Sequence, residues 1–228
     1  MPSFEIIPYV CLSGKENMDF DESLLESAIA SSSDTLFFRL FGWKPACVSL
    51  GRNQNPEFLD FDLLDKHNID VVTRLTGGRA LLHDMELTYS VVCSQNLLEN
   101  GQSVIASYKE ISGFLVEAFN LMGVNLVLGN DSVHTHHDYC MLVSTGADLN
   151  YSGRKFIGSA QCRKKGYILQ HGSILYDYNK DLLETIFKEP VDTSGIIGLR
   201  EILPSIGFEC FIKDFQDAIL KVLSRKLY

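Results

Sequence analysis

Strand-like segments follow one another along most of this chain, and helical periodicity is confined to three places. Apolar residues recur at helical spacing in residues 17–30, 104–122 and 208–223. Short strand-forming runs separated by turn residues occur at 36–40, 46–50, 69–73, 87–93, 124–128, 148–151, 155–160 and 167–175. Consecutive strands with helices grouped at the start, middle and end predict an α+β layer fold with a mostly antiparallel sheet, rather than alternating βαβ units.

The composition is that of an ordinary globular chain and restricts its location and partners. The 228 residues are 46% hydrophobic and show no linker or repeat, so we expect one domain over residues 1–228. A net charge of −9 argues against a nucleic-acid partner, which needs a basic face. No apolar run approaches the ~18 residues of a membrane span, and no signal peptide is visible. Six scattered cysteines indicate reduced thiols, so the sequence predicts a cytoplasmic protein without a membrane partner.

The strongest local signal is the segment Arg74-Leu-Thr-Gly-Gly-Arg-Ala-Leu-Leu-His-Asp84, which joins two predicted strands. The pair Gly77-Gly78 permits positive φ and lets backbone N–H groups approach a ligand closely, with Arg74 and Arg79 beside it. Such a loop could hold a carboxylate, a phosphate or a carbonyl oxygen. The alternative is an ordinary glycine turn with two solvated arginines.

A local reversal of charge is the second signal. Residues 149–176 contain five basic residues and no acidic residue, within a chain of net charge −9. Lys155 begins a predicted strand whose Gly158-Ser-Ala segment would let a ligand lie against the backbone. The basic residues Arg163, Lys164 and Lys165 follow. They predict a surface that docks an acidic partner, and the alternative is a solvated hairpin face.

Cys140 is a candidate nucleophile because it lies fifteen residues before Lys155. A neighbouring ammonium stabilises the thiolate, which is the reactive form of cysteine. The alternative is a buried and inert thiol. Cys162, which precedes three basic residues, is the competing thiol.

The histidines give a weaker signal. His134, His136 and His137 lack a matching ligand set, so we predict no metal site. His83 and His171 fall inside the glycine-bearing segments, where each could orient a substrate or serve a structural role.

Five segments, in this order, resemble the catalytic domain shared by lipoate–protein ligases, biotin–protein ligases and octanoyltransferases. They are residues 18–26 (MDFDESLLE), 41–52 with Gln54, 74–90, 153–161 (GRKFIGSAQ) and 169–175 (LQHGSIL). The resemblance implies a mixed, largely antiparallel sheet with flanking helices and an acyl tunnel beside the 74–79 loop. It also implies a product in which an acyl chain is joined by an amide bond to a lysine of a lipoyl-type carrier domain.

Within this family, the sequence is most similar to the cysteine-dependent octanoyltransferases. The resemblance implies that Cys140 takes octanoate from octanoyl-acyl carrier protein as a thioester, with Lys155 lowering the pKa of the thiol, and that a lysine of the glycine-cleavage H protein or of a lipoyl domain then attacks. Thr73 and Met141 depart from the usual arginine and phenylalanine. The implied substrate-binding residues are Arg74, Thr76, Gly77, Gly78, Arg79, Ala80, His83, Gly158, Ser159, Ala160, His171 and Gly172.

Two other functions are compatible with the same residues. An ATP-dependent lipoate ligase would use Arg74, Arg79 and Lys155 to hold an acyl-adenylate, with ATP and Mg²⁺, whereas the transferase needs no cofactor. Such ligases often carry a C-terminal accessory domain, which we do not expect in this chain. A carrier-binding module without activity is the third hypothesis, and the presence of both Cys140 and Lys155 argues against it.

Overall fold

Two β-sheets organise the structure, a computed structural model that describes residues 3–129, 148–188, 190 and 192–227. In chain order the described strands are β1 (Ser3–Leu12), β2 (Thr35–Trp43), β3 (Cys47–Leu50), β4 (Asp70–Thr73), β5 (Leu81–His83), β6 (Glu86–Ser94), β7 (Val127–Leu128), β8 (Leu149–Tyr151), β9 (Arg154–Lys164) and β10 (Tyr167–Leu175). The larger sheet has the order β1-β2-β6-β10-β9-β8-β7, and the smaller has the order β4-β3-β5.

The pairing of the strands confirms the predicted fold class. In the larger sheet only β1 and β2 run parallel, and the remaining neighbours pair antiparallel. In the smaller sheet β3 pairs parallel with β4 and antiparallel with β5. The architecture is therefore α+β with mixed, mostly antiparallel sheets.

Six α-helices accompany the sheets within the described residues. They are α1 (Gly14–Ser31), α2 (Phe61–Lys66), α3 (Val104–Leu121), α4 (Lys180–Phe187), α5 (Leu199–Ile202) and α6 (Phe208–Lys226). Helix α1 begins at a capping box in which Ser13 and Glu16 exchange hydrogen bonds, and α3 begins after the N-cap Ser103, whose side chain accepts from the Ala106 N–H. In the part of the chain that the structure describes, no helix is both long and apolar enough to span a bilayer.

One face of the larger sheet packs on α3 and α6 through apolar side chains. Val91 and Ile168 lie in this core beside Phe119, whose ring contacts the rings of Phe156 and Phe215 at centroid distances of 5.1 and 4.7 Å. The burial of these large side chains supplies the main driving force for assembling the sheet and the two helices.

The opposite face of the sheet is covered by α1. Leu25 and Ala28 of α1 pack on Val92 and Leu169. These two residues directly follow Val91 and Ile168, which face α3, so successive strand residues alternate between the two helical layers. Strand β6 is consequently buried along its whole length. The polar residues Thr88 and Ser90, which alternate with apolar residues along this strand, are therefore buried on the α1 side of the sheet rather than exposed to water.

Candidate active site

A cleft opens on the α1 side of the larger sheet, beside the smaller sheet. The predicted glycine loop contributes Arg74, Gly78 and His83 to its wall. Strands β9 and β10 contribute Gly158, Ser159, Ala160, His171 and Gly172. The structure thus brings together the two glycine-bearing segments that the sequence singled out.

Arg74 shapes the loop from within. Its side chain is buried, and the guanidinium donates hydrogen bonds to the carbonyl oxygens of Ser49, Gly77 and Arg79 at 2.9, 2.9 and 2.7 Å. Gly78 has a φ of +97°, which a residue with a side chain rarely adopts, so the glycine is required for the path of the loop. The alternative of two solvated arginines is wrong for Arg74.

The remaining loop residues have different environments. Gly77 is exposed, with open space around its Cα, and Ala80 is fully buried among apolar residues of the smaller sheet. Arg79 is partly exposed, but its Nη1 atom is buried without a hydrogen-bond partner. Thr76 is buried and bonds His171 at 2.7 Å. Ala80 is therefore placed to support the loop rather than to contact a ligand.

A buried polar network extends from the cleft to α1. Thr76 Oγ1 and Asp21 Oδ2 lie 2.7 and 3.3 Å from the two ring nitrogens of His171. Asp21 also accepts hydrogen bonds at 2.9 Å from both Arg39 Nη1 and Ser90 Oγ. Both ring nitrogens of His171 are thus engaged, which fixes the orientation of the imidazole at the cleft wall.

A second network holds His83. Its Nε2 lies 2.8 Å from Ser49 Oγ, and its Nδ1 lies 3.2 Å from Glu86 Oε1. Thr88 Oγ1 donates to the same carboxylate oxygen at 2.5 Å and accepts from Trp43 Nε1 at 2.7 Å. Burial lowers the pKa of His83, so the imidazole is held neutral despite the adjacent carboxylate.

A bulge determines where Lys155 points. Opposite Leu149 and Asn150, strand β9 has one extra residue, and the neighbours Phe156 and Ile157 both enter the core beneath α3. The alternation is shifted by one residue, which brings Lys155 to the face that carries Gly158 and Ala160. Its ammonium is buried and pairs with Asp148 at 3.0 Å.

The predicted nucleophile Cys140 lies outside the described residues, as do the three histidines of the 134–137 segment. Among the described cysteines, Cys47 and Cys93 are buried, and burial raises the pKa of both thiols, that of Cys93 to about 12. Burial also raises the pKa of Cys162, although Arg52 opposes this shift. A high thiol pKa disfavours the reactive thiolate at neutral pH.

The three predicted docking residues do not form one surface. The Arg163 guanidinium turns inward and donates to Gly101 O at 2.7 Å and to Ser107 Oγ at 2.5 Å, so it fastens the loop before α3. Lys164 pairs with Glu26 of α1, and Lys165 is exposed in the hairpin turn. Lys165 lies five positions beyond Ala160 along the hairpin, or about 16 Å. The Arg163 guanidinium is therefore engaged within the fold, and the docking role of the three residues stays a prediction.

Comparison with known proteins identifies the family to which this chain belongs. A model of the lipoyl protein ligase A/B catalytic domain matches residues 13–224 of this chain, which therefore belongs to that family.

Within that family, the chain is similar to proteins named octanoyltransferase LipM. The octanoyltransferase LipM of Anoxybacillus flavithermus is 37% identical over 183 residues, which are 76% of this chain and 66% of that protein. The octanoyltransferase LipM of Halalkalibacterium halodurans is 35% identical over 237 residues, covering 92% of this chain and 83% of the relative. The chain thus matches about two thirds of the length of the first relative and more of the second.

Solved structures agree on the fold. A lipoate-protein ligase A bound with ATP superimposes with a TM-score of 0.76 at 20% identity, covering 99% of this chain and 85% of that one. A bipartite lipoate protein ligase from Thermoplasma acidophilum, studied with its E2 lipoyl domain, has a TM-score of 0.68 at 19% identity, with coverages of 96% and 82%.

The sequence alone missed several polar residues of the site. Asp21, Arg39, Ser49, Glu86 and Ser173 are buried in or next to the cleft. One available signal was the period of two along β10, which places Ser173 on the same face as His171. A second available signal was Arg39, which lies within an otherwise apolar strand. A buried arginine requires an acidic partner, so this residue pointed to a buried ion pair.

Proposed function

We propose that this chain is an octanoyltransferase that moves octanoate from acyl carrier protein to a lysine of a lipoyl-type carrier. The observation that carries the proposal is the cleft: it presents an almost entirely apolar surface, because its histidines and most of its hydroxyls are bonded to other protein groups. Such a surface suits a saturated acyl chain. The similarity to octanoyltransferases named LipM supports the same substrate.

The reaction proceeds in two steps. The Cys140 thiolate attacks the thioester carbonyl of the donor, and the thiol of the acyl carrier leaves after taking up a proton. The neutral amine of the acceptor lysine then attacks the Cys140 thioester, gives up one proton to solvent, and forms an amide as the Cys140 thiolate leaves. The donor thioester already provides the activation, so this route needs no ATP, metal or other cofactor.

Lys155 supports both steps. Its buried ammonium pairs with Asp148, eight residues after Cys140, and would stabilise the thiolate and the oxyanion that forms on the carbonyl. The acceptor is the H protein of glycine cleavage or a lipoyl domain, and the E2 lipoyl domain studied with a structural neighbour supports that choice. Lys164 and Lys165 dock an acidic carrier in this proposal, because the Arg163 guanidinium is bonded within the fold.

An ATP-dependent lipoate ligase is the second candidate. The unpartnered Nη1 of Arg79 could meet the phosphate of an acyl-adenylate, and one neighbour of the same fold was solved with ATP. In that reaction, free acid and ATP replace the acyl carrier thioester, and Mg²⁺ accompanies the nucleotide.

One assay separates the two candidates. Octanoyl transfer to a lipoyl domain is measured with octanoyl-acyl carrier protein lacking ATP, and with octanoate plus ATP and Mg²⁺. We expect transfer only from the carrier thioester, lost in Cys140→Ala and retained in Cys162→Ala. Transfer that depends on ATP and survives in Cys140→Ala would establish the ligase instead.

Charge reversal tests the docking surface. Replacing Lys164 and Lys165 by glutamate should slow transfer most at low salt, where screening is weakest. The same slowing at low and high salt would contradict electrostatic docking at this hairpin.

A further inference from the structure

Ser173 occupies a central position on the floor of the cleft. It lies in β10 between Thr88 of β6 and Gly158 of β9, which are its cross-strand neighbours. The residue is fully buried and lines the cleft, and its Oγ atom has no hydrogen-bond partner. Because Gly158 has no side chain, one side of the Ser173 hydroxyl is not filled by its cross-strand neighbour.

This hydroxyl differs from the other polar side chains at the cleft. Ser49 bonds His83 at 2.8 Å, and Ser159 accepts from Tyr89 at 2.7 Å. The remaining polar lining side chains, those of Trp43, Arg74, His83, Thr88 and His171, are bonded as described above. Among the described residues that line the cleft, Ser173 alone has a buried polar side-chain atom without a partner.

A buried donor without a partner is unfavourable, and native proteins rarely retain one unless another molecule satisfies it. A saturated acyl thioester offers one strong acceptor, its carbonyl oxygen, and otherwise only methylene groups and a weakly accepting sulfur. A ligand that is apolar except for one acceptor oxygen would fit both the apolar cleft and the unpartnered Ser173 hydroxyl.

We propose that the Ser173 hydroxyl donates a hydrogen bond to the carbonyl oxygen of the bound acyl group and thereby fixes how far the chain enters the cleft. This inference rests on the proposed function for the acyl nature of the ligand. It assigns to Ser173 a positioning role that also sets specificity, because a ligand without a carbonyl leaves the hydroxyl unsatisfied.

A comparison of two ligands measures this hydrogen bond directly. The octanoyl thioester of N-acetylcysteamine carries the carbonyl oxygen, and the octyl thioether of the same thiol lacks it. Binding of both is measured by calorimetry in a Cys140→Ala background, so that the thioester is not consumed by that thiol. We expect the thioester to bind about three- to tenfold more tightly than the thioether, as for one neutral hydrogen bond.

Ser173→Ala should bring the two affinities together. The matched control is Ser112→Ala, which removes a buried hydroxyl of α3 that is bonded to Gln170 and does not line the cleft, and which should preserve the ratio. A purely structural effect of Ser173 would change both affinities equally and leave their ratio intact.

Two results would overturn the inference, and they are distinguishable. A thioester-to-thioether ratio that is the same with and without the Ser173 hydroxyl refutes the role of Ser173 but leaves the acyl cleft standing. Failure of the Cys140→Ala chain to bind either ligand refutes the acyl cleft itself, and with it the role of Ser173.

Discussion

The two faces of the larger sheet are both covered by helices, yet they are filled in different ways. Under α3 and α6, side chains such as Val91 and Ile168 form a continuous apolar core. Under α1, one end is apolar, but the rest holds Arg39, Ser90 and His171 in a buried polar network. The cleft opens on this polar face. The comparison shows that the residues of the site are positioned by hydrogen bonds and ion pairs, whereas the stability of the sheet comes mainly from the other face.

The largest loss of stability should follow from removing the buried ion pair between Arg39 and Asp21 on the α1 side of the sheet. Arg39→Met leaves the Asp21 carboxylate buried without its cation, and should lower the free energy of unfolding by about 3–5 kcal/mol in urea denaturation. The control is Lys15→Met, which removes an exposed ion pair from the same helix and should leave the denaturation midpoint unchanged. A loss below about 1 kcal/mol for Arg39→Met would mean that the pair is not buried as described.

A second test compares two neighbouring basic residues of β9, one bonded within the fold and one exposed. Arg163→Met removes charge-assisted hydrogen bonds to Gly101 and Ser107, and should cost about 2 kcal/mol of unfolding free energy. Lys164→Met removes only an exposed pair with Glu26 and should leave the midpoint unchanged. Equal effects of the two substitutions would contradict the inward placement of Arg163.

The polar face should also give the stability a pH dependence. Because burial lowers the pKa of His83 in the folded state, the unfolded chain binds more protons as the pH falls below about 6.5. Stability is therefore retained above that pH and lost on acidification, with a slope of at most about 1.4 kcal/mol per pH unit from this group. Denaturation between pH 5 and 7.5 should show a shallower dependence in His83→Gln, and the same slope in both proteins would show that His83 does not titrate differently on folding.

The smallest change in stability gives the sharpest contrast in function. Ile111→Val in α3 and Thr76→Val beside His171 should each cost about 1 kcal/mol, through a lost methylene and a lost hydrogen bond respectively. Octanoyl transfer per folded molecule should be unchanged in Ile111→Val and slower in Thr76→Val, because Thr76, unlike Ile111, helps to orient His171. Equal transfer rates would show that the network does not position the site.

The sequence predicted the apolar face better than the polar one. The helices α1, α3 and α6 and all eight predicted strands are present, because apolar periodicity reports burial against a core. Strand β1 was missed, since it contains Pro8 at a point where its pairing with β2 is irregular. The three-residue β5 and the short α2 lie below the length at which a period can be recognised.

The site was only partly predictable, for a physical reason. Glycines and arginines in the 74–84 loop carry a local signal, and the structure places that loop at the cleft beside Gly158. By contrast, Asp21, Arg39 and Ser173 come from three elements distant in sequence, and their burial depends on how α1 lies on the sheet. Alternating polar residues in a strand indicate a solvent face or a buried network equally well, so the sequence does not separate the two.

Locating the acyl group on the protein tests the central claim most directly. The chain is incubated with octanoyl-acyl carrier protein without acceptor or ATP, and the adduct is mapped by peptide mass spectrometry. We expect one octanoyl group on the peptide that contains Cys140, absent in Cys140→Ala and discharged when a lipoyl domain is added. An adduct on Cys162, or no adduct together with transfer that requires ATP, would contradict the proposed mechanism.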